Sequence, residues 1–212
     1  MCKEINSYQD LEKLIDCIDL LYNTITKEWK NLIDSKCNLK NMIVLDIEIG
    51  SDIYNLVISY EQFLNEHGPY MMGKVDSVCK STVVARVKTP NSVEFKIQNY
   101  KTEKHENGLI PINKCFNDLF GVRIILDDPL DYEQVAEFIK RKYKGKYKCL
   151  NSSKGDYKAT HIYFKKDNYT FPWELQVWNR NDENVNIKSH ETYKQEYTRW
   201  EAESKEGGIA NG

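Results

Sequence analysis

Apolar residues recur at steps of three and four along the first part of the chain. Leu11, Leu14, Ile15, Ile18, Leu21, Tyr22, Ile25, Trp29, Leu32 and Ile33 fall on one stripe, which predicts a helix beginning near Ser7 with one buried face. A second stripe, Ile53, Leu56, Val57, Tyr60, Phe63 and Leu64, predicts another helix, N-capped at Asp52 and stopped at Gly68-Pro69. From Thr82 onward the runs become short and rich in β-forming residues. They cover residues 82–88, 122–126 and 170–177, with a helical stretch over 131–141 between the second and third. The expected fold class is therefore α+β, a mixed sheet flanked by helices. Period-two alternation sends Val122, Ile124 and Leu126 to one face and sets Leu175 and Val177 against Glu174 and Gln176. One face packs, and the other is open to chemistry. The segment after Trp200 has little to bury and is expected to fray.

These elements need only one core. A chain of 212 residues, 41% of them hydrophobic, fits one domain at roughly 100–200 residues per domain. We expect that domain to span residues 1–205, with an N-terminal helical part (1–68), a core carrying the chemistry (82–200) and a flexible tail (206–212). Thirty basic and 32 acidic side chains nearly cancel to a formal charge of −2, so attraction of a polyanion must come from local clustering. Cys2, Cys17, Cys37, Cys79, Cys115 and Cys149 form no Cys-x-x-Cys pair, and no histidine stands at zinc-ligand spacing beside them. Reduced thiols and a cytoplasmic location are expected. No apolar signal core opens the chain, and runs such as residues 42–45 are too short to span a bilayer, so no membrane partner is expected.

Three constellations carry candidate chemistry. In the first, Arg86 and Lys88 end a strand just before a helix start marked by Pro90 and Asn91 or Ser92, with Lys96 further along. Cations and free helix N-terminal amides both stabilise phosphate oxygens. Taken singly, these residues are better read as solvated surface charges. In the second, Asp118 precedes the strand bearing Arg123, and Glu174 lies in the strand Trp173-Glu174-Leu175-Gln176-Val177-Trp178. Two carboxylates converging on one sheet face can hold Mg²⁺, which takes one or two carboxylates plus phosphate and water. The alternative makes Asp118 a turn cap and Glu174 a polar face residue. In the third, Tyr157, Lys158 and His161 lie within five residues. A purine can stack on the tyrosine while the cation and imidazole contact phosphate or ribose; a loop tyrosine beside a structural histidine is the plainer reading.

In this order and spacing, the three pieces resemble the synthetase domain of the RelA/SpoT family, particularly its stand-alone small alarmone synthetases, over residues 82–200. Arg86, Lys88, Ser92 and Lys96 match the family's Arg-x-Lys-x-x-x-Ser-x-x-x-Lys signature. The resemblance assigns them to the ATP phosphates and their neighbourhood. Asp118-Leu119-Phe120-Gly121-Val122-Arg123-Ile124 matches the Asp-hydrophobic-x-Gly-x-Arg-Ile element, making Asp118 the catalytic metal ligand. Glu174 and Gln176 match the Glu-x-Gln strand, with Glu174 the second Mg²⁺ ligand and a general base for the acceptor hydroxyl. Tyr157 matches the residue that stacks on the acceptor guanine, and His161 the histidine close after it. Residues 189–194, with His190, look like the closing helix of the domain. In two places the chain departs from the pattern. Asp156 separates Gly155 from Tyr157, and Trp178 stands where the strand motif carries Arg.

The resemblance implies a nucleotidyltransferase-like synthetase fold that transfers the β,γ-pyrophosphate of ATP to the 3′-hydroxyl of GDP or GTP, with Mg²⁺ as cofactor. No His-Asp dipeptide occurs and few residues precede Thr82, so no hydrolase part is expected within this chain. The alternative acceptor is the 3′ end of tRNA, as in toxins of the same superfamily that are neutralised by an antitoxin protein. Lys140, Arg141, Lys142, Lys144, Lys146 and Lys148, interleaved with tyrosines, are the residues such an acceptor would use. A lysine-guarded edge strand accounts for the same run. A non-catalytic nucleotide-binding module, a nucleotidyltransferase that releases pyrophosphate, and assembly into a homo-oligomer through the N-terminal helices complete the expectations.

Overall fold

The computed structural model describes residues 6–33 and 37–189 of the chain. Helix α1 (Asn6–Leu32) and helix α2 (Asp52–Asp76) realise the two apolar stripes, except that Leu32, in the last position of α1, is 69% exposed and not buried. The cap of α2 is Ser51, whose hydroxyl accepts from the Tyr54 amide, so Asp52 is the first helical residue and not the cap. Gly68-Pro69 does not stop this helix. Proline removes one backbone donor and crowds the preceding turn, but Gly68, Met71 and Val75 beyond that point are buried. Their burial offsets the local cost.

Five strands form one sheet in the order β1-β2-β5-β4-β3, with β1 Thr82–Val87, β2 Phe120–Leu126, β3 Lys148–Asn151, β4 Thr160–Phe164 and β5 Trp173–Asn179. Strands β2 and β5 are parallel, and the remaining pairs are antiparallel, so the sheet is mixed as expected. Strand β5 starts later than its apolar run, because Pro172 lacks the amide a central strand needs and Thr170 is engaged by the Tyr22 hydroxyl.

One sheet face packs. Val122, Ile124 and Leu126 of β2, Leu175 and Val177 of β5, and Ile162 and Phe164 of β4 join the helix stripes in a single buried cluster. Trp173 anchors it, edge-on to Tyr22 at 5.3 Å and donating its indole N–H to the Tyr60 hydroxyl at 2.9 Å. Helix α5 (Tyr132–Tyr143) contributes Val135, Phe138 and Ile139, and its N-terminus carries a reciprocal capping box between Asp131 and Gln134. Helices α3 (Pro90–Tyr100) and α4 (Ile112–Cys115) bring Val93, Ile97 and Ile112 into the same core. No helix of the described residues is long and apolar enough to cross a membrane.

Candidate active site

The opposite face of the sheet gathers the polar residues. Register places Arg86 beside Gly121, Gly121 beside Glu174, and Glu174 beside Tyr163. The next row sets Val84, Arg123, Gln176 and His161 side by side, and Ile125 and Trp178 form a third. Cross-strand neighbours share a face, so every one of these side chains looks the same way.

Two basic residues hold the first carboxylate. Strand β1 runs into Lys88, whose amide donates to the Leu119 carbonyl at 2.9 Å, and this fixes Lys88 alongside the loop that leads Asp118 into β2. The Thr89 hydroxyl caps α3, with Pro90 in the first turn. Lys96 lies one and a half turns into that helix, with a side chain 8% exposed, and donates to Asp118 Oδ1 at 2.8 Å. Lys88 meets Oδ2 at 3.0 Å. Burial pushes the Asp118 carboxyl up, but the adjoining Lys96 and Lys88 charges outweigh it and hold the group well below the usual carboxylate range. Burial lowers the Lys88 ammonium despite the pull of Asp118, and the nearby Lys96 and Arg86 charges lower it further. Asp118 is thus ionised, and Lys96 keeps its proton.

The second carboxylate sits in a closed ring of polar and aromatic contacts. Glu174 Oε1 accepts from His161 Nδ1 at 2.9 Å and from the Tyr163 hydroxyl at 3.0 Å, while Oε2 accepts from Gln176 Nε2 at 2.7 Å. An ionised carboxylate only accepts, so His161 carries a proton on Nδ1, and its Nε2 faces the Tyr157 hydroxyl at 3.2 Å. That hydroxyl receives the Trp178 indole N–H at 3.3 Å. Trp178 lies flat beneath Arg123, whose guanidinium carbon is 3.5 Å from the ring centroid, and Arg123 closes the ring through two hydrogen bonds to Gln176 Oε1, at 3.1 and 3.2 Å. Burial and the Asp118 charge raise the Glu174 carboxyl, and the bonds from His161 and Gln176 bring it below its ordinary value. Arg86, Asp118, Arg123, Glu174 and Gln176 line one cleft of ≈ 250 Å³.

Several expected residues take other places. Ser92 shares a hydrogen bond with Thr89 in the exposed first turn of α3 and does not line the cleft. Lys158 points away, its ammonium 3.7 Å from Asp182, while its backbone is pinned by Asn186. Tyr157 follows a tight turn closed by two Lys154–Tyr157 backbone bonds, in which Gly155 has φ +58°. Asp156 is therefore the second of the two central residues of that turn, between Gly155 and Tyr157. Trp178 is 1% exposed and packed on Ile125 and Ala159, so it supports Arg123 and is not itself an open plate for a base. The basic run divides: Lys142 pairs with Glu12 and Lys146 with Asp19, and only Lys146 and Lys148 of the run border a groove on the chemical face. Lys140, Arg141 and Lys144 line neither this groove nor the cleft. His190 and the expected closing helix lie outside the described residues. Sequence reasoning missed Tyr163, although its position two residues after His161 put it on the same face.

Paired carboxylates ringed by cations on an open sheet face define a class of protein that handles anionic, phosphate-bearing ligands. A family model described as the region found in RelA / SpoT proteins matches residues 85–198. The chain belongs to the RelA/SpoT family. Among solved structures, it is similar to small alarmone synthetase 1 from Bacillus subtilis, at 14% identity over 76% of this chain and 100% of that one, with a TM-score of 0.38. It is also similar to small alarmone synthetase 2 from the same organism, at 15% identity, 68% and 77% coverage and a TM-score of 0.36. A GTP pyrophosphokinase family protein from Streptococcus pneumoniae matches at 15% identity, 76% and 86% coverage and a TM-score of 0.36. No curated protein matches the chain.

Proposed function

We propose that this protein is a pyrophosphokinase that transfers the β,γ-pyrophosphate of ATP to the 3′-hydroxyl of GDP or GTP, working as one unit over residues 1–205. The observation that carries this reading is the meeting of Asp118 and Glu174 in one cleft with Arg86 and Arg123, inside a chain of the RelA/SpoT family.

Each residue has a role in such a transfer. Arg86, Lys88 and Lys96 neutralise and orient the triphosphate, and Arg123 lies beside Arg86 on the donor side of the cleft. Tyr157 and His161 frame the acceptor. Its hydroxyl oxygen attacks the β-phosphorus, the bond between that phosphorus and the α,β-bridging oxygen breaks, and AMP departs. Glu174, held ionised and aimed by His161, Tyr163 and Gln176, receives the hydroxyl proton as the new bond forms. The donor set fits Mg²⁺: each Asp118 oxygen accepts one lysine bond and keeps lone-pair capacity for a hard cation. When bound by Asp118 and Glu174, the ion would supply charge neutralisation across the ATP phosphates.

The test is incubation with γ-labelled ATP and Mg²⁺, with GDP, GTP and bulk tRNA offered in parallel. Label should move to the guanosine nucleotide with release of AMP, and Asp118→Asn should reduce transfer on the order of 10³-fold. The alternative acceptor, a tRNA 3′ end, is favoured by the lysine-lined groove beside the cleft and would take the label instead. Transfer to no acceptor, or transfer indifferent to Asp118, would leave a binding module.

A further inference from the structure

Tyr157, assigned above to the acceptor, stands on a loop with little packing of its own. Residues 153–156 are exposed, and a Cβ added at Gly155 would meet nothing within 4 Å, so the turn reaches into open space there. The β3–β4 ladder ends at the Asn151–Thr160 pair. One further bond, from the Ser152 amide to the Ala159 carbonyl at 2.9 Å, continues it, and the Ala159 amide then donates to the Ser153 hydroxyl at 3.4 Å. An exposed turn on so narrow a base opens more readily than the sheet below it, and a site built on it alone would be formed only part of the time.

Asn186 counters this from another element. It lies in the helical stretch 183–189 that follows β5, is fully buried, and reaches across to the loop. The Lys158 amide donates to its Oδ1 at 2.9 Å, and its Nδ2 donates to the Lys158 carbonyl at 2.8 Å. A carboxamide carries a donor and an acceptor side by side, so it meets both backbone groups of one residue, as a neighbouring strand does in a hydrogen-bonded antiparallel pair. The Lys158 amide belongs to the planar peptide unit that also contains the Tyr157 Cα, and the Lys158 carbonyl to the unit that leads into Ala159. Holding both units fixes where Tyr157 leaves the backbone and where the chain enters β4, the strand of His161. The far end of the tyrosine is held as well, because its hydroxyl receives the Trp178 indole N–H at 3.3 Å and faces His161 Nε2 at 3.2 Å. The Lys158 side chain adds little: it is exposed, and its ammonium is 3.7 Å from Asp182.

A buried position on a helix is ordinarily apolar, since an amide taken out of water needs partners. Asn186 is buried with its oxygen and its nitrogen both committed to one residue of the loop beside the catalytic face. We propose that Asn186 is a positioning residue for the acceptor: it keeps the Tyr157 loop formed in the free protein, so that the acceptor meets a ready surface instead of ordering one as it binds. This rests on the transfer reading given above. An acceptor that binds only the formed loop has its apparent affinity reduced by the fraction of protein in which the loop is formed, so a loop formed about a tenth of the time raises acceptor KM about tenfold. The rate at saturating acceptor, when every loop is formed, hardly changes.

Residue-resolved amide hydrogen exchange on the full chain tests the clamp. The Lys154 and Tyr157 amides bond within the turn and not to Asn186, so they report the state of the loop as a whole. Both should be protected in the unaltered protein without any ligand, and exchange at the rate of an unstructured peptide overturns the proposal before any variant is made. Asn186→Leu keeps the side-chain volume and removes both bonds, and Asn186→Asp keeps an acceptor for the Lys158 amide but sets a second oxygen against the Lys158 carbonyl. Each should speed exchange at Lys154 and Tyr157 about tenfold or more, and Asp182→Asn, which releases only the Lys158 ammonium, should not. Faster exchange confined to Lys158 overturns the proposal, as does equal acceleration in Asp182→Asn. Steady-state transfer to whichever acceptor takes the label tests the consequence. Acceptor KM should rise about tenfold in both Asn186 variants, with kcat within about twofold and the KM for ATP unchanged. Equal rises in both KM values, or a fall in kcat alone, overturn the positioning role. Exchange needs no turnover, so the two readings fail separately. Lost loop protection without transfer to any acceptor keeps the clamp and removes the pyrophosphokinase, and normal transfer with unaltered exchange does the reverse.

Discussion

At the scale of single residues, the cleft is organised by what holds the reactive groups and not only by the groups themselves. Asp118 is clasped by Lys88 and Lys96, whose side chains are 11% and 8% exposed. Removing one partner of a buried ion pair leaves a charge that water cannot reach, at a cost of about 3–5 kcal/mol. Lys96→Met should cost the lower end of that range, because Lys88 still faces Asp118, and urea unfolding will measure it; a loss below about 1 kcal/mol would mean that the pair is solvated. Trp178 makes a subtler case. Its ring supports Arg123 at 3.5 Å and its indole N–H holds Tyr157 at 3.3 Å, so it ties together two residues that the proposed transfer assigns to the donor and the acceptor. Trp178→Phe keeps the stack and deletes the hydrogen bond. That substitution should raise acceptor KM roughly fivefold, the equivalent of about 1 kcal/mol, with the KM for ATP unmoved. Trp178→Leu removes both contacts and should raise both constants. Steady-state kinetics with each substrate varied in turn separates this positioning role from a general loss of packing, which would move both constants in the Phe variant too.

At the scale of elements, the sequence was most legible where a period meets a face. The alternation that put Val122, Ile124 and Leu126 opposite Arg123 also put Glu174 and Gln176 opposite Leu175 and Val177, and the packed cluster contains the apolar members of both sets. His161 was singled out by its closeness to Tyr157 and by the family resemblance, and the same alternation counted on from it reaches Tyr163. Punctuation was less legible. Pro69 reads locally as a stop, yet α2 runs on to Asp76 because its later turn is buried against the fold, a tertiary effect that no window of residues contains. The start of α5 is the contrary case, written entirely in local sequence. Asp131 accepts from the Gln134 amide at 2.8 Å, and the Gln134 side chain returns the bond at 2.9 Å. Asp131→Ala should therefore destabilise the protein by about 1 kcal/mol, visible as a lower urea midpoint with an unchanged slope. Since α5 carries none of the cleft residues, transfer activity below the midpoint should be untouched.

At the scale of the whole molecule, formal charge misleads in a way the fold explains. The chain totals −2, but its cations are sorted by environment: Lys88 and Lys96 are buried against Asp118, while Lys40, Lys114, Lys148 and Lys165 stand exposed around the groove. The groove could not be read from sequence, because its lysines are contributed by segments spread from residue 40 to residue 165 and only the sheet order brings them together. The local run over 140–148 drew attention to Lys146 and Lys148 but joined them to helix cations that the fold sends elsewhere. This sorting predicts a split response to salt. Exposed charges are screened over a Debye length that shrinks from about 10 Å at 0.1 M to about 3 Å at 1 M, whereas buried pairs are screened much less. Raising potassium chloride from about 0.05 to about 0.5 M should therefore weaken the binding of any polyanion held by the exposed groove lysines, an offered tRNA among them, several-fold, and raise the KM for ATP in the proposed transfer by a clearly smaller factor. Parallel losses for both would place the salt-sensitive charges in the catalytic cleft and not in the groove.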